Sequence, residues 1–147
     1  MPGKTYSFEV NRTSSATAGK LFRLETDGAR WSEWAKPLVV QSGWEKRADP
    51  PGSVGAIRRV GLWPVLMFEE TLEYEPDRRH VYTFARPGPV EDYRAEVLFT
   101  PVDGGTDVTW RVSFAEKFPG TGPVVQRALH GVIRFLSGRL VRAAERG

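Results

Sequence analysis

The sequence predicts an α+β fold: one strand, two short helices, an antiparallel meander of strands, and one long C-terminal helix. Three observations predict it. Apolar and polar residues alternate with period two through most of the chain between Tyr6 and Ala115. The stretches are separated by short turn signals, which suit hairpins and are too short for the crossovers a parallel sheet needs. Beyond Gly122 the apolar spacing changes to that of a helix and holds as far as Ala143. The length of 147 residues fits a single domain, read here as spanning 1–147.

The elements follow in order. Residues 6–12 alternate as a half-buried strand, and Thr13, Ser14 and Ser15 then supply cap residues for a short helix over 16–24. A second helical turn covers 29–34 and ends before Pro37. Neither helix is long enough to stand alone, so both must pack on something larger. Strands are expected over 38–44, 54–61, 66–75, 80–84, 93–102 and 106–115. Pro76 and Asp77 form the turn before the fourth of these, and Asp103, Gly104 and Gly105 form a hairpin turn before the last. The final segment, Gly122 to Ala144, carries Val125, Leu129, Val132, Leu136, Leu140 and Ala143 on one stripe, with Leu129, Val132 and Leu136 expected to be buried. Arg127, His130, Arg134 and Ser137 lie on another face, read as solvent-facing.

Composition removes several classes of chemistry. The chain has no cysteine, which excludes disulfides, thiolate nucleophiles and cysteine-held metals. Its two histidines, His80 and His130, supply a metal site poorly, and both read as surface residues, so no metal and no cofactor is expected. No Ser–His pairing motif or phosphate-cradling glycine loop occurs. The N-terminus lacks an apolar run, and no stretch approaches the roughly 18 apolar residues of a spanning helix. A cytoplasmic protein without a transmembrane segment is therefore expected. The formal net charge is +3, with five arginines and one glutamate after Gly122. So spread a set of arginines reads as a solvated helix face, and no nucleic-acid partner is expected.

Three local patterns carry a family resemblance. Gly55-Ala56-Ile57-Arg58-Arg59-Val60 is similar to a third-strand pattern of Gly followed by Arg three residues on. Residues 70–82, from Glu70 through Pro76 and Arg79 to Tyr82, resemble a Glu-x-apolar strand, proline turn, arginine and aromatic restart. Gly104-Gly105-Thr106-Asp107-Val108-Thr109-Trp110 resembles a Gly-Gly-Thr hairpin. In this order they resemble the START-like superfamily, which includes polyketide cyclase/dehydrase and lipid-transport proteins. The resemblance implies a helix-grip fold, a curved antiparallel sheet of about six or seven strands wrapped around the long C-terminal helix, with an apolar cavity between them.

Alternation then nominates the cavity wall. Trp110 and Val112 share a face on the last strand, Tyr93 and Val97 on the one before, and Phe68, Leu72, Tyr82 and Phe84 continue it, with Leu129 facing them from the helix. Glu70 lies between Phe68 and Leu72 and so points inward with them. If the intervening turn centres on Pro64, Arg58 pairs opposite Glu70, as a buried carboxylate requires, and Arg59 points outward; a one-residue bulge would exchange Arg58 and Arg59. The loops 86–91 and 118–123, with Leu62, Trp63 and Pro64, are the expected mouth.

The expected function is binding or carriage of a hydrophobic small molecule (lipid, polyketide or isoprenoid-like) by a monomer or weak dimer. One alternative is a polyketide aromatase/cyclase or dehydratase, in which Arg58, Glu70, Tyr82, Tyr93 and Trp110 would supply acid, base and donor groups. Another is a regulatory module contacting a protein or an anionic membrane through its basic helix.

Overall fold

Seven strands form in the computed structural model, which describes residues 3–62 and 65–146, and every neighbouring pair is antiparallel. The chain runs β1 (Thr5–Ser14), α1 (Ala18–Thr26), a 3-10 helix (Gly28–Glu33), then β2 (Gln41–Lys46), β3 (Ile57–Leu62), β4 (Val65–Glu75), β5 (Arg79–Phe84), β6 (Val90–Val102), β7 (Gly105–Glu116) and α2 (Gly122–Arg146). Spatial order is β1-β7-β6-β5-β4-β3-β2, so β1 and β2 are the two edges and α1 with the 3-10 helix spans the gap between them. From β2 onward each strand lies beside its sequence neighbour, as hairpin turns require.

Local chemistry accounts for the boundaries. The Thr17 hydroxyl accepts from the Lys20 N–H at 3.2 Å and caps α1. Between β6 and β7, Gly104 takes a positive φ of 81° in the two-residue turn, and Val102 pairs directly with Gly105. The strand expected from residue 38 starts only at Gln41; residues 38–40 run over the sheet end instead, tied by Val40 N to Gly61 O at 2.9 Å.

On the inner face β7 buries Val108, Trp110, Val112 and Phe114, β6 buries Tyr93, Ala95, Val97 and Phe99, and α2 lays Ile133, Leu136, Leu140 and Ala144 against them. Phe22 of α1 packs edge-on against Tyr74 and Phe99. Two expectations for α2 need correction. Leu129 and Val132 are only half-buried, because the space they face is empty. Ser137 is buried rather than solvent-facing, its hydroxyl accepting from Arg12 Nε at 3.1 Å, and His130 rests on Phe8 with ring centroids 4.9 Å apart. The basic face is also partly tied down: Arg139 Nε donates to Trp34 O at 3.1 Å.

A β-bulge in β4 decides which side chains reach the interior. Thr71 pairs with Tyr82 and Glu73 with Val81, so Leu72 is the extra residue. Before it, Met67, Glu69 and Thr71 face inward; after it, Tyr74 does. The single alternating face expected over Phe68, Glu70, Leu72 and Tyr74 is therefore broken in the middle.

The end of β1 and the start of β7 approach too closely for any side chain. A Cβ on Gly105 would lie 1.8 Å from the Ser14 carbonyl oxygen, a backbone atom that cannot swing aside. Gly105→Ala is expected to cost about 2 kcal/mol or more of unfolding free energy, read from urea denaturation. A loss of a few tenths of a kcal/mol would show that the two strands can part there without penalty.

Candidate functional site

A cavity of about 480 Å³ separates α2 from the inner face of the sheet. Leu129, Val132, Ile133 and Leu136 of α2 form one wall. Val60, Gly61, Met67 and Glu69 of β3 and β4 face them, and Tyr82, Phe84 and Tyr93 extend that wall across β5 and β6. Trp31 of the 3-10 helix and Pro37, Leu38 and Val39 complete the lining with Leu62 and Val65. The lining residues most open to solvent are Leu38 (40%), Leu62 (53%) and Val65 (68%), so the mouth lies where the β3–β4 hairpin meets the segment before β2. Among the described lining residues Glu69 is the only charged one. Volume and lining both fall in the range of small-molecule pockets.

Beside this cavity lies a buried set of four ionisable side chains. Arg58 of β3 is 3% exposed and pairs with Glu69 across the β3–β4 ladder. Its Nε donates to Glu69 Oε1 at 2.8 Å, and its Nη1 donates to Glu25 Oε2 at 3.1 Å and to the Glu25 carbonyl. That carbonyl is free because it belongs to the last turn of α1, and Trp31 Nε1 also donates to it, at 2.9 Å. The guanidinium is sandwiched, its carbon 4.1 Å from the Trp31 ring centroid and 4.5 Å from that of Tyr82. Its Nη2 has no hydrogen-bond partner among the described residues, so the aromatic faces are what this nitrogen meets.

His80 completes the set. Its Nδ1 lies 2.8 Å from Glu25 Oε2, and its Nε2 lies 3.0 Å from Thr71 Oγ1. The Thr71 hydroxyl spends its proton on Gly52 O at 3.0 Å, so towards His80 it can only accept. Both ring nitrogens thus have an oxygen partner, a carboxylate on one side and a hydroxyl on the other. Arg58 thus meets both carboxylates, Glu25 and Glu69, and His80 adds a hydrogen bond to Glu25, all away from water.

The ionisation of these groups follows from those contacts. Burial works against the Glu25 carboxylate, yet His80 and then Arg58 outweigh it and hold its pKa below the usual value. Burial likewise opposes the Arg58 charge, and Glu69 and Glu25 reverse this and raise its pKa. For Tyr82 and Tyr93, burial first and the nearby Glu69 second push the phenol pKa values up, so both hydroxyls remain protonated donors. Trp110 Nε1 donates to Tyr82 Oη at 3.2 Å.

Of the residues nominated from sequence, Tyr82, Phe84, Tyr93 and Leu129 line the cavity. Arg58 faces inward and Arg59 outward, but Arg58 sits behind Trp31 and Tyr82 rather than in the wall, and its partner is Glu69, not Glu70. Leu62 pairs with Val65, which sets the register one residue away from that of a turn centred on Pro64, and one residue exchanges the faces. Phe68, Glu70 and Leu72 accordingly lie on the outer face, where the Arg86 guanidinium covers the Phe68 ring at 3.6 Å. Val97, Trp110 and Val112 are buried in solid core, because α1 packs on β6 and α2 on β7, and Trp31 meets Trp110 edge-on at 6.4 Å. His80, read as a surface residue, is 1% exposed. The loops 86–91 and 118–123 supply no lining residue, and Trp63 and Pro64 lie outside the described residues.

Trp31, Val39, Val60, Met67, Glu69 and Ile133 are lining residues that sequence reasoning did not nominate. For Glu25 a signal existed: it follows Leu21 by four and Phe22 by three, a charge on the apolar face of a helix.

Comparison with known proteins agrees with this architecture. The sequence matches the family described as polyketide cyclase/dehydrase and lipid transport over residues 5–145. No curated protein matches the sequence. Norcoclaurine synthase from Thalictrum flavum superposes with a TM-score of 0.76 at 12% identity, covering 97% of this chain and 95% of its own. The di-domain ARO/CYC StfQ of the steffimycin biosynthetic pathway gives 0.75 at 17% identity, covering 96% of this chain and 49% of its own. Ara h 8.0201 gives 0.69 at 17% identity, covering 95% and 99%. At these identities the likeness is one of fold, the helix grip.

The buried charges make a pH test available. The folded Glu25 carboxyl holds its proton less tightly than the unfolded one, so its contribution is complete above the unfolded value of about 4.3 and is lost as pH falls through the lower folded value. Glu25→Gln is expected to cost about 3 kcal/mol at neutral pH and to flatten the decline of stability below pH of about 4.3. Urea midpoints measured across that range decide it. An equally steep acid decline in both proteins would remove Glu25 as its source.

Proposed function

The chain belongs to the polyketide cyclase/dehydrase and lipid-transport family, and from that premise we propose that it binds and carries a hydrophobic small molecule between its sheet and α2. The observation that carries this reading is the cavity itself: about 480 Å³, walled by aliphatic and aromatic side chains, with a single carboxylate. An apolar molecule entering it would leave water for a preformed apolar surface, which is the main favourable term in such binding. Exposed Leu38, Leu62 and Val65 at the mouth give that molecule an apolar path inward.

A second reading, cyclisation or dehydration of a polyketide chain, draws support from one feature. Glu69, Tyr82 and Tyr93 put a carboxylate and two protonated phenols in the cavity wall, the groups that enolisation and loss of water call for. Carriage needs only the cavity, and turnover needs those groups as well.

Titration with a neutral apolar fluorophore such as Nile red tests the first reading. Saturable binding is expected in the native protein. Val132→Trp, which fills the α2 wall, is expected to weaken it by about tenfold or more without lowering the thermal midpoint appreciably. Failure to bind, or binding that neither Val132→Trp nor Leu129→Trp alters, would count against the cavity as the site.

A further inference from the structure

We infer that the molecule held in this cavity carries a hydroxyl group, as an alcohol or a phenol, on an otherwise apolar body. The inference rests on the binding reading above and narrows its ligand class. Three polar groups share one patch of an otherwise apolar wall. Glu69 of β4 stands opposite Phe84 of β5 in the ladder, Phe84 stacks on Tyr93 with centroids 3.9 Å apart, and Tyr82 precedes Phe84 by two residues on the same face.

Two of the three have capacity left. Glu69, ion-paired with Arg58, is a carboxylate, and Arg58 Nε occupies only part of its acceptor capacity, at Oε1. Tyr82 Oη accepts from Trp110 Nε1 and turns its own proton to Tyr93, whose hydroxyl proton is then left to donate. Tyr93 presents a second phenol beside it. A pure hydrocarbon occupant would strip water from an anionic acceptor and one phenol donor and give nothing back, at a cost of about 1–3 kcal/mol for each group left unanswered.

The balance of charge and of donors then selects among ligand groups. A ketone, ether or ester accepts from the Tyr93 phenol but offers nothing to Glu69. An ammonium donates to Glu69 but cannot accept from a phenol, and it would bring a second cation beside the Arg58 guanidinium that Glu69 already pairs. A ligand carboxylate would face Glu69 with like charge. A hydroxyl donates to the carboxylate and accepts from a phenol, so one group answers both.

The experiment compares naphthalene, 2-methoxynaphthalene and 2-naphthol by equilibrium titration at neutral pH. In the native protein 2-naphthol is expected to bind about tenfold or more tightly than 2-methoxynaphthalene, the effect of one hydrogen bond to a charged acceptor. Tyr93→Phe and Glu69→Gln are each expected to shrink that preference to a few-fold, read as the ratio of the two affinities within each variant. The native comparison stands by itself if Glu69→Gln fails to fold. Equal affinity for all three probes, or preference for the ether, overturns the hydroxyl assignment and leaves the apolar binding reading intact. Failure of all three and of Nile red overturns both.

Discussion

The inner half of this molecule is organised by the need to neutralise one guanidinium out of contact with water. Arg58 reaches into the space between sheet and helices, and each element around it contributes to holding it there. β4 gives Glu69, the end of α1 gives the Glu25 side chain and carbonyl, the 3-10 helix gives the Trp31 face and β5 gives Tyr82. Even Gly28 takes part: a Cβ there would lie 2.4 Å from Arg58 Cβ, so only glycine lets the 3-10 helix lie down on the arginine. Desolvating charges costs several kcal/mol per ion, and a single missing partner leaves that cost unanswered. The set therefore fixes the position of α1 and the 3-10 helix on the sheet far more narrowly than apolar contact would.

That fixed placement explains why one half of the interior is solid and the other hollow. Where α1 and Trp31 press on β6 and β7, Phe22, Phe99 and Trp110 interlock edge to face. Where the 3-10 helix ends and the chain turns away over residues 36–40, Trp31 and residues 37–39 border a space between β3–β5 and α2 without filling it. The hollow part persists because its walls are set by strand pairing and by the charged set beside it. Its own lining is mostly apolar, aliphatic on α2 and aromatic on β5 and β6.

The fold was almost wholly legible in the sequence, and the site only in part. Periodicity located every strand and helix, with departures of three residues at 38–40, where an apolar run crosses the sheet end instead of pairing in it, at 54–56 and at 90–92. Facing was the weaker inference, because it depends on single-residue register. The run Phe68-Glu69-Glu70-Thr71-Leu72 places two acids side by side, so alternation alone cannot say which points inward, and the bulge at Leu72 then inverts the face that Tyr74 belongs to. Arg58 was placed inward through a pairing with Glu70, and the observed register keeps it inward but pairs it with Glu69, which alternation had turned outward. The long-range partners, Glu25 and His80, are 55 residues apart in the chain, and no local pattern reports such a meeting.

Glu69 belongs to both halves of the interior, and this is what ties stability to the chemistry of the cavity. One of its oxygens completes the neutralisation of Arg58, while its side chain forms part of the cavity wall. A lone carboxylate there would be expelled or protonated, since an unpaired buried anion is too costly to keep. Paired with Arg58, it stays an anion and a pure acceptor, and the wall gains polarity without net charge. The polar character of the cavity is thus a consequence of how α1 is anchored. The fold shared with remote relatives supplies the hollow, and the partners of one arginine decide what the hollow can recognise.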